Sequence, residues 1–363
     1  MIPIARPQIG EEEQRLVAST LASGNLAQGE RVRELEERFG EYIGATHAVA
    51  TSSGTTAIQL ALLGLKIRPG DEVITVAFTF IGSVSPILHV GARPVFVDVD
   101  PVTFTMDPGE IEAAITERTR AIMPVSLYGH SANMPAILSI AERHGLTVLE
   151  DACQAHGAQL EGRSSGAWGL GVFSFYATKN MTTAEGGMVT TTDPGIADRV
   201  RLLREHGMKT RYHHEELGFN YRMSDVHASI GLGQLRKLSE ANQRRRAVAA
   251  RYTSELVGVI TPTEMPNAKH VYHQYVIRVS QRDLFAERLR TRGVASAVHY
   301  PFPVHRQTAL LDVGMGEATL PITERLCEEI LSLPVYPSLS DDEVERVISA
   351  TNATAAELGP ALT

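Results

Sequence analysis

The sequence predicts an α/β protein in which a large domain with a mostly parallel central sheet precedes a smaller α+β domain. Short β-branched segments alternate with amphipathic helical segments through the first two thirds of the 363 residues. The β-branched segments are largely apolar, which is typical of parallel strands covered by helices on both faces. Near residue 240 a long polar helix interrupts this alternation. We therefore predict a large domain at residues 1–240 and a small domain at residues 241–363.

The predicted elements follow one another along the chain. Runs rich in β-branched and aromatic residues indicate strands, and they are 71–77 (DEVITVA), 93–99 (RPVFVDV), 120–126 (RAIMPVS), 146–152 (LTVLEDA), 171–176 (GVFSFY) and 187–192 (GMVTTT). Between some of them, GEIEAAITERT and MPAILSIAERHG have the apolar spacing of helices. In the small domain, EANQRRRAVAARYTSEL predicts a long helix and VYHQYVIRVS a further strand.

Charge and cysteine content narrow the classes of function. The net charge is -8, and the sequence has no basic run that could bind nucleic acid or an anionic membrane. Cys153 and Cys327 are too few for a disulfide framework and lack metal-binding spacing. The segment MIPIARPQIGEEEQ has no signal-peptide core, and no run of about 18 apolar residues predicts a membrane span. We expect a cytoplasmic protein without nucleic-acid or membrane partners.

Lys179 is the first candidate for chemistry. It follows the predicted strand 171–176 directly, within FSFYATKNMTTAEGGM, whereas the other lysines stand in polar contexts. Open α/β sheets bind ligands beyond the carboxyl ends of their strands. A desolvated lysine there can act as a neutral amine nucleophile. From position alone, this interpretation and a solvated surface loop are evenly balanced.

Two more segments have functional residue types at the same kind of position. In TSSGTTAIQLAL, Gly54 and its hydroxyl neighbours begin a helix whose free N–H groups could bind a phosphate, although the pattern alone favours a plain N-cap. In VLEDACQAHGA, Asp151 ends a strand and could hold a protonated ring nitrogen. A polar strand end is the alternative for Asp151. His156 has no second ligand at metal spacing, so no metal site is predicted.

A nucleotide-binding loop is a poor alternative. In GAWGLGVFSF the glycines precede a strand, and the third glycine of the dinucleotide fingerprint is missing. In contrast, the phosphate cradle at Gly54, the carboxylate of Asp151 and the amine of Lys179 together are the parts that hold pyridoxal phosphate as a Schiff base. The sequence therefore predicts this cofactor.

The chain also resembles the DegT/DnrJ/EryC1/StrS sugar aminotransferases, pyridoxal-phosphate enzymes of fold type I, over almost its whole length. The matching blocks are SGTTAIQLAL, PGDEVITVAFTFIGSV, VLEDACQAHGA, FSFYATKNMTTAEGGMVTT, LGFNYRMSDVHASIGLGQL, HYPFPVHRQ and LPVYPSLSDDEVERVI. The resemblance implies that Lys179 carries the cofactor, Asp151 pairs with its pyridinium nitrogen and Gln154 approaches its ring hydroxyl. It further implies that Phe80 stacks on the ring.

The resemblance also assigns phosphate and substrate contacts. Ser174, Gly54 and Thr55 are implied to bind the cofactor phosphate, and Asn220 to reach the phosphate in the neighbouring subunit of a homodimer with shared active sites. For Asn220 and Arg222, a capped loop before a helix is the alternative. The remaining implied substrate contacts are Tyr300 and His305, for which surface positions are the alternative.

The implied reaction moves an amino group from glutamate, which leaves as 2-oxoglutarate, to a nucleotide-linked keto-sugar. Some relatives have histidine at the lysine position and eliminate a hydroxyl, so Lys179 favours transamination. NYRMS resembles members that aminate C4 of a 4-keto-6-deoxy-sugar, whereas C3 enzymes more often have NSRLD. A 3-keto sugar or a keto-cyclitol such as an inosose is the alternative acceptor. Intact Lys179, Asp151 and Ser174 argue against a non-catalytic cofactor-binding or oligomerisation protein.

Overall fold

The computed structural model describes residues 1–359, so residues 360–363 of the predicted small domain lie outside the described residues. Its strands are β1 (His47–Thr51), β2 (Glu72–Val76), β3 (Arg93–Val97), β4 (Thr119–Ile122), β5 (Thr147–Asp151), β6 (Gln159–Leu160), β7 (Arg163–Ser164), β8 (Leu170–Ser174), β9 (Gly187–Thr191), β10 (Met208–Thr210), β11 (His213–His214), β12 (Ala268–Lys269), β13 (Tyr275–Arg278) and β14 (Ile330–Leu333). Its helices are α1 (Glu11–Ser23), α2 (Glu30–Ile43), α3 (Gly54–Gly64), α4 (Ile81–His89), α5 (Ile111–Ala114), α6 (Met134–His144), α7 (Pro194–Arg204), α8 (Asp225–Glu255), α9 (Arg282–Thr291), α10 (Thr308–Leu311), α11 (Pro321–Glu329) and α12 (Asp341–Leu358).

A seven-stranded sheet forms the centre of the molecule, with the strand order β1-β9-β8-β5-β4-β2-β3. Neighbouring strands from β3 to β8 are parallel, whereas β9 is antiparallel to both β8 and β1. Because β1 is antiparallel to β9, it points in the same direction as β8. The carboxyl ends of all strands except β9 therefore lie at one edge of the sheet, and the predicted α/β fold with a mostly parallel sheet is confirmed.

Helices cover both faces of this sheet. Adjacent residues of a strand point to opposite faces, and in β5 Leu149 packs in the core that holds α3 and α7 whereas Val148 packs in the core that holds α6. A further core surrounds β13 and β14, where Tyr252 of α8 and Phe285 of α9 are buried. The sheet therefore has an apolar layer on each side.

The predicted strands occur, but several end earlier than predicted. Residues 120–126 form a strand only as far as Ile122, because Pro124 has no N–H to donate to a neighbouring strand. Strand β1 was not predicted, because the run HAVAT is short and only partly β-branched. This strand positions Gly54, because α3 begins three residues after β1 ends.

Helix α8 is longer than predicted, and the proposed boundary at residue 240 lies within it. It begins where the Ser224 hydroxyl accepts a hydrogen bond from the His227 N–H at 3.3 Å. At Gly231, a Cβ atom would lie 2.8 Å from Thr183 Cγ2, so glycine allows α8 to approach the segment that follows Lys179. The division into two domains stays a prediction. Within residues 1–359, no helix combines the length and apolar character needed to cross a bilayer.

Candidate active site

A cavity of about 630 Å³ opens at the edge of the sheet where the strands have their carboxyl ends. Most of the residues predicted from the sequence line it, namely Gly54, Thr55, Phe80, Asp151, Gln154, Ser174, Lys179 and Tyr300. All of them except Tyr300 come together because β1, β2, β5 and β8 end at this edge, and the listed residues lie at the ends of these strands or in the segments that follow. Other lining residues, not anticipated from the sequence, include Ser83, Glu185, His273, Gln274 and His299.

Lys179 lies in the turn that follows β8. Its backbone N–H donates a hydrogen bond to the Tyr176 carbonyl at 2.9 Å, which closes that turn. Burial lowers the pKa of the Lys179 amine below its ordinary value of 10.5, although the negative charge of Asp151 acts in the opposite direction. A lowered pKa increases the fraction of neutral amine, which is the nucleophilic form.

Asp151 ends β5 and is 2% exposed. The Ser83 hydroxyl donates to Oδ2 at 2.7 Å, and the Cys153 backbone N–H donates to Oδ1 at 3.0 Å. These bonds compensate for part of the cost of burying a carboxylate. A protonated ring nitrogen in the cavity would complete its set of partners.

The start of α3 and Ser174 form a small polar recess. Ser53 is the N-cap, since its hydroxyl accepts from the Thr56 N–H at 3.1 Å, so the plain N-cap anticipated for this segment is present. A Cβ atom on Gly54 would lie only 2.7 Å from Ser174 Cβ and 3.0 Å from Cys153 Sγ. Glycine therefore lets the start of α3 pack directly against Ser174, and both residues line the cavity beside the free N–H groups of the helix start, where a phosphate fits.

Phe80 and Gln154 are positioned for the flat part of a ligand. Phe80 is 52% exposed, and its ring centroid lies 5.5 Å from that of Tyr300. The Gln154 Oε1 atom accepts from the Tyr128 backbone N–H at 3.0 Å. Because its oxygen is occupied, Gln154 has its Nε2 donor left for Tyr300, whose hydroxyl is 3.4 Å away, and for a ligand.

Three histidines near Lys179 are held in their neutral form. Burial, followed by the charge of Lys179, lowers the pKa of His156 to about 3 and that of His299 to about 4. The pKa of His273 is lowered well below its usual range for the same reasons. The His156 ring packs against Phe173, and neither of its nitrogens has a hydrogen-bond partner within residues 1–359. The three imidazole rings therefore place no positive charge beside the amine, on which the carboxylate of Asp151 acts.

Three predicted residues lie outside this cavity. Asn220 is exposed, and Arg222 lies 3.9 Å from the carboxylate of Glu205. His305 is completely buried, so its predicted surface alternative is wrong; its Nε2 atom lies 3.1 Å from Glu324 Oε1, which keeps the ring away from the cavity of its own chain. The roles predicted for these residues stay predictions.

Among the residues that the sequence analysis missed, Ser83 had a detectable signal. It lies three residues after Phe80, in the first turn of α4, so a helix beginning at that point would bring its hydroxyl toward the cavity. His273 and His299 had no such signal, because they reach the cavity from segments more than ninety residues away from Lys179. Within residues 1–359, no group of three His, Cys, Asp or Glu side chains is arranged to bind a metal ion.

The arrangement fits pyridoxal phosphate. The recess at Gly54 and Ser174 suits the phosphate, the Asp151 carboxylate suits a protonated pyridine nitrogen, and the Lys179 amine suits the aldehyde. Phe80 offers a ring face between them. Each group of this cofactor thus meets a residue of matching chemistry.

Comparisons with known proteins agree with this chemistry. The model of the DegT/DnrJ/EryC1/StrS aminotransferase family matches residues 7–352. A UDP-N-acetyl-3-dehydro-alpha-D-glucosamine 3-aminotransferase of Acidithiobacillus ferrooxidans is 41% identical over 344 residues, which cover 93% of this chain and 92% of that protein.

Two solved structures extend the comparison. DesV of S. venezuelae, in complex with a ketimine intermediate, superposes with a TM-score of 0.92 and 41% identity over 95% of this chain and 94% of its own. NtdA of Bacillus subtilis, with the bound cofactor PMP, has a TM-score of 0.89 and 32% identity over 96% of this chain and 83% of its own. The chain therefore belongs to the DegT/DnrJ/EryC1/StrS family of sugar aminotransferases, and it is a pyridoxal-phosphate-dependent aminotransferase.

Proposed function

We propose that this chain transfers an amino group from glutamate to C4 of a nucleotide-linked 4-keto-6-deoxy-sugar. The observation that carries amino transfer is the position of the Lys179 amine, in one cavity with Asp151 and with the recess at Gly54. The preference for C4 rests on the sequence NYRMS at residues 220–224, which resembles C4-aminating relatives. The shape of the cavity is not used to distinguish amination at C4 from amination at C3.

The residues of the chain divide the work. When bound, pyridoxal phosphate supplies an electron-withdrawing ring that takes up the electrons of the carbon–hydrogen bond being broken. The Lys179 Nζ atom would accept the proton from the α-carbon of glutamate, and in the second half-reaction it would donate a proton to the sugar carbon that receives the amine. The Asp151 carboxylate would keep the ring nitrogen protonated, and Gly54 and Ser174 would hold the phosphate.

The cavity has groups that can bind the hydroxyls of a sugar, but it has few cationic groups for the diphosphate of a nucleotide-linked sugar. Glu185, His299 and Tyr300 can exchange hydrogen bonds with hydroxyl groups. Among the described lining residues, Lys179 is the only lysine or arginine. A nucleotide diphosphate and the two carboxylates of glutamate therefore need cations from another surface. We infer that a second copy of the chain supplies them, as the exposed position of Asn220 and the half-buried position of Arg222 also favour.

We expect Asn220→Ala to weaken cofactor binding about tenfold, the loss of a hydrogen bond to a charged group. Mixed dimers with one Lys179→Ala subunit and one Asn220→Ala subunit test whether the contact crosses the dimer. The only site with a lysine then receives an intact Asn220 from its neighbour, so it should bind the cofactor with wild-type affinity by fluorescence titration. Weak binding in the mixed dimer, equal to that of the Asn220→Ala homodimer, would show that the residue acts within its own chain.

The acceptor is tested with a matched panel. The enzyme is incubated with ¹⁵N-glutamate and with nucleotide-linked 4-keto-6-deoxy-sugars, nucleotide-linked 3-keto sugars or keto-cyclitols, and the carbon that bears the new amine is located by NMR. We expect labelled nitrogen at C4. Label at C3 alone, or on a cyclitol alone, would overturn the proposed acceptor while leaving amino transfer itself intact.

Amination at C3 is the second candidate, and a specific observation favours it. The relative from Acidithiobacillus ferrooxidans, whose name describes a 3-aminotransferase, is 41% identical over 93% of this chain. The two candidates differ in which ring carbon faces the Lys179 amine, and the same panel separates them.

A further inference from the structure

Both oxygens of the Asp151 carboxylate are engaged by groups of the protein. Oδ1 accepts the Cys153 backbone N–H at 3.0 Å, and Oδ2 accepts the Ser83 hydroxyl at 2.7 Å. An ionised carboxylate can only accept hydrogen bonds, so the proton of Ser83 must point at Asp151. Two donors on different oxygens fix the plane of the carboxylate, which a single bond would leave free to rotate.

The direction of this bond determines the next one. Thr79 Oγ1 lies 2.8 Å from Ser83 Oγ. Since Ser83 has donated its only proton, its oxygen must accept the proton of Thr79. The result is a directed chain from Thr79 through Ser83 to Asp151, whose members are 3%, 5% and 2% exposed. Water therefore offers the carboxylate little competing hydrogen bonding.

The location of this chain ties it to the ligand cavity. Thr79 and Ser83 flank Phe80, the aromatic residue that faces the cavity, and both hydroxyl residues line the cavity as well. Ser83 also lies in the first turn of α4, whose positive end favours a nearby anion. One short segment thus presents the ring face through Phe80 and orients the carboxylate through Ser83.

We propose that Ser83 is a positioning residue for the cofactor, and that with Thr79 it aims the Asp151 carboxylate at the pyridine nitrogen. This rests on the proposed role of Asp151 in binding that nitrogen. Ser83 acts through Asp151 alone, so its contribution disappears when Asp151 has lost its charge. If Ser83 only supported the packing of α4, it would contribute equally to cofactor affinity in the wild type and in the Asp151→Asn variant.

The first test compares cofactor affinity with the stability of the cofactor-free protein. We expect Ser83→Ala to weaken pyridoxal phosphate binding about tenfold or more, and to reduce the rise in melting temperature that the cofactor produces. Ser83→Thr, which keeps the hydroxyl, should bind within about threefold of wild type. Thr79→Val keeps the shape of the side chain and removes the hydroxyl that donates to Ser83. The affinity of this variant for pyridoxal phosphate should lie between those of Ser83→Ala and Ser83→Thr.

Ser229 offers a matched control, because it is a fully buried serine whose hydroxyl bonds Thr20 and the Asp225 carbonyl, and it does not line the cavity. Ser229→Ala should lower the melting temperature with and without cofactor by the same amount. If Ser83→Ala behaves in the same way, or if Ser83→Thr fails to restore affinity, the positioning role is overturned.

The second test is a double-mutant cycle for cofactor affinity between Ser83 and Asp151. In the Asp151→Asn background we expect Ser83→Ala to change affinity less than about twofold, against tenfold in the wild type. Equal losses in both backgrounds would overturn the proposal, as would an Asp151→Asn variant with wild-type affinity. The readout is cofactor binding, so it does not depend on the acceptor. If the enzyme shows this coupling but aminates a different acceptor, only the proposed acceptor is wrong.

Discussion

Lys179→Ala is expected to abolish the yellow colour of the purified protein and to reduce transamination by at least about a thousandfold. The amine is both the attachment point of the cofactor and the group that moves the proton, and a positioned acid–base group alone contributes roughly 10²–10⁴-fold. The absorbance spectrum after gel filtration and the half-reaction with glutamate measure the two losses separately. A variant that kept both would contradict the assignment of Lys179.

Two control variants separate the chemistry of the amine from its charge. Lys179→Arg retains a positive charge but cannot become a neutral nucleophile at ordinary pH, so it should resemble Lys179→Ala in both measurements. Lys269→Ala removes an exposed lysine from β12 and should leave both measurements unchanged.

The pH dependence of the wild type follows from the same residue. Attack on the cofactor requires the neutral amine, so attachment rises as the pH passes through the pKa of Lys179. Because burial lowers this pKa, the midpoint of attachment to the cofactor-free protein should lie below 10.5. A midpoint at or above the value of a free lysine would contradict the burial of the amine.

Asp151→Asn should reduce kcat for the half-reaction with glutamate by about a hundredfold or more, as the removal of a fixed charge opposite a reacting group does. The neutral amide no longer stabilises a protonated ring nitrogen, so the ring takes up electrons less readily. The shape of the side chain is preserved, and the sheet should fold normally. Single-turnover absorbance changes with glutamate report the rate apart from cofactor affinity.

Glu150 provides the matched control for Asp151, because it is the adjacent residue of β5 and is also fully buried. Its carboxylate accepts from the Ser126 hydroxyl at 2.6 Å and from the Gly166 N–H at 2.7 Å, and it does not line the cavity. Glu150→Gln should alter thermal stability and leave the half-reaction rate unchanged. Equal rate losses in the two variants would indicate that a general disturbance of β5, rather than the charge of Asp151, is responsible.

The sequence identified those parts of the site that depend on strand ends. Lys179 and Asp151 are visible because each stands at or just beyond the end of a largely apolar run, and the carboxyl ends of parallel strands meet at one edge. Gly54 was found through its helix start, although β1 in front of it was not. The five-residue strand HAVAT has too little hydrophobic pattern to be recognised, whereas its pairing with β9 is visible only in the structure.

The remaining lining residues depend on long-range packing that sequence spacing does not record. His273 and His299 come from the region after α8, and their neutral state results from burial by distant segments. His305 contacts Glu324 outside the cavity of its own chain, and its predicted substrate role stays a prediction. The Ser83 hydroxyl donates its proton to Asp151 because an ionised carboxylate can only accept. No sequence motif records this contact.

The antiparallel direction of β9 has a consequence for how the enzyme loses its cofactor. Because β8 ends and β9 begins at the same edge, the segment between them, which carries Lys179, is attached to the sheet at both of its ends. A segment restrained at both ends loses little conformational entropy when a ligand binds. Its two ends come apart only when β8 separates from β9, inside the sheet. Release of the cofactor on heating and melting of the sheet should therefore form a single cooperative transition.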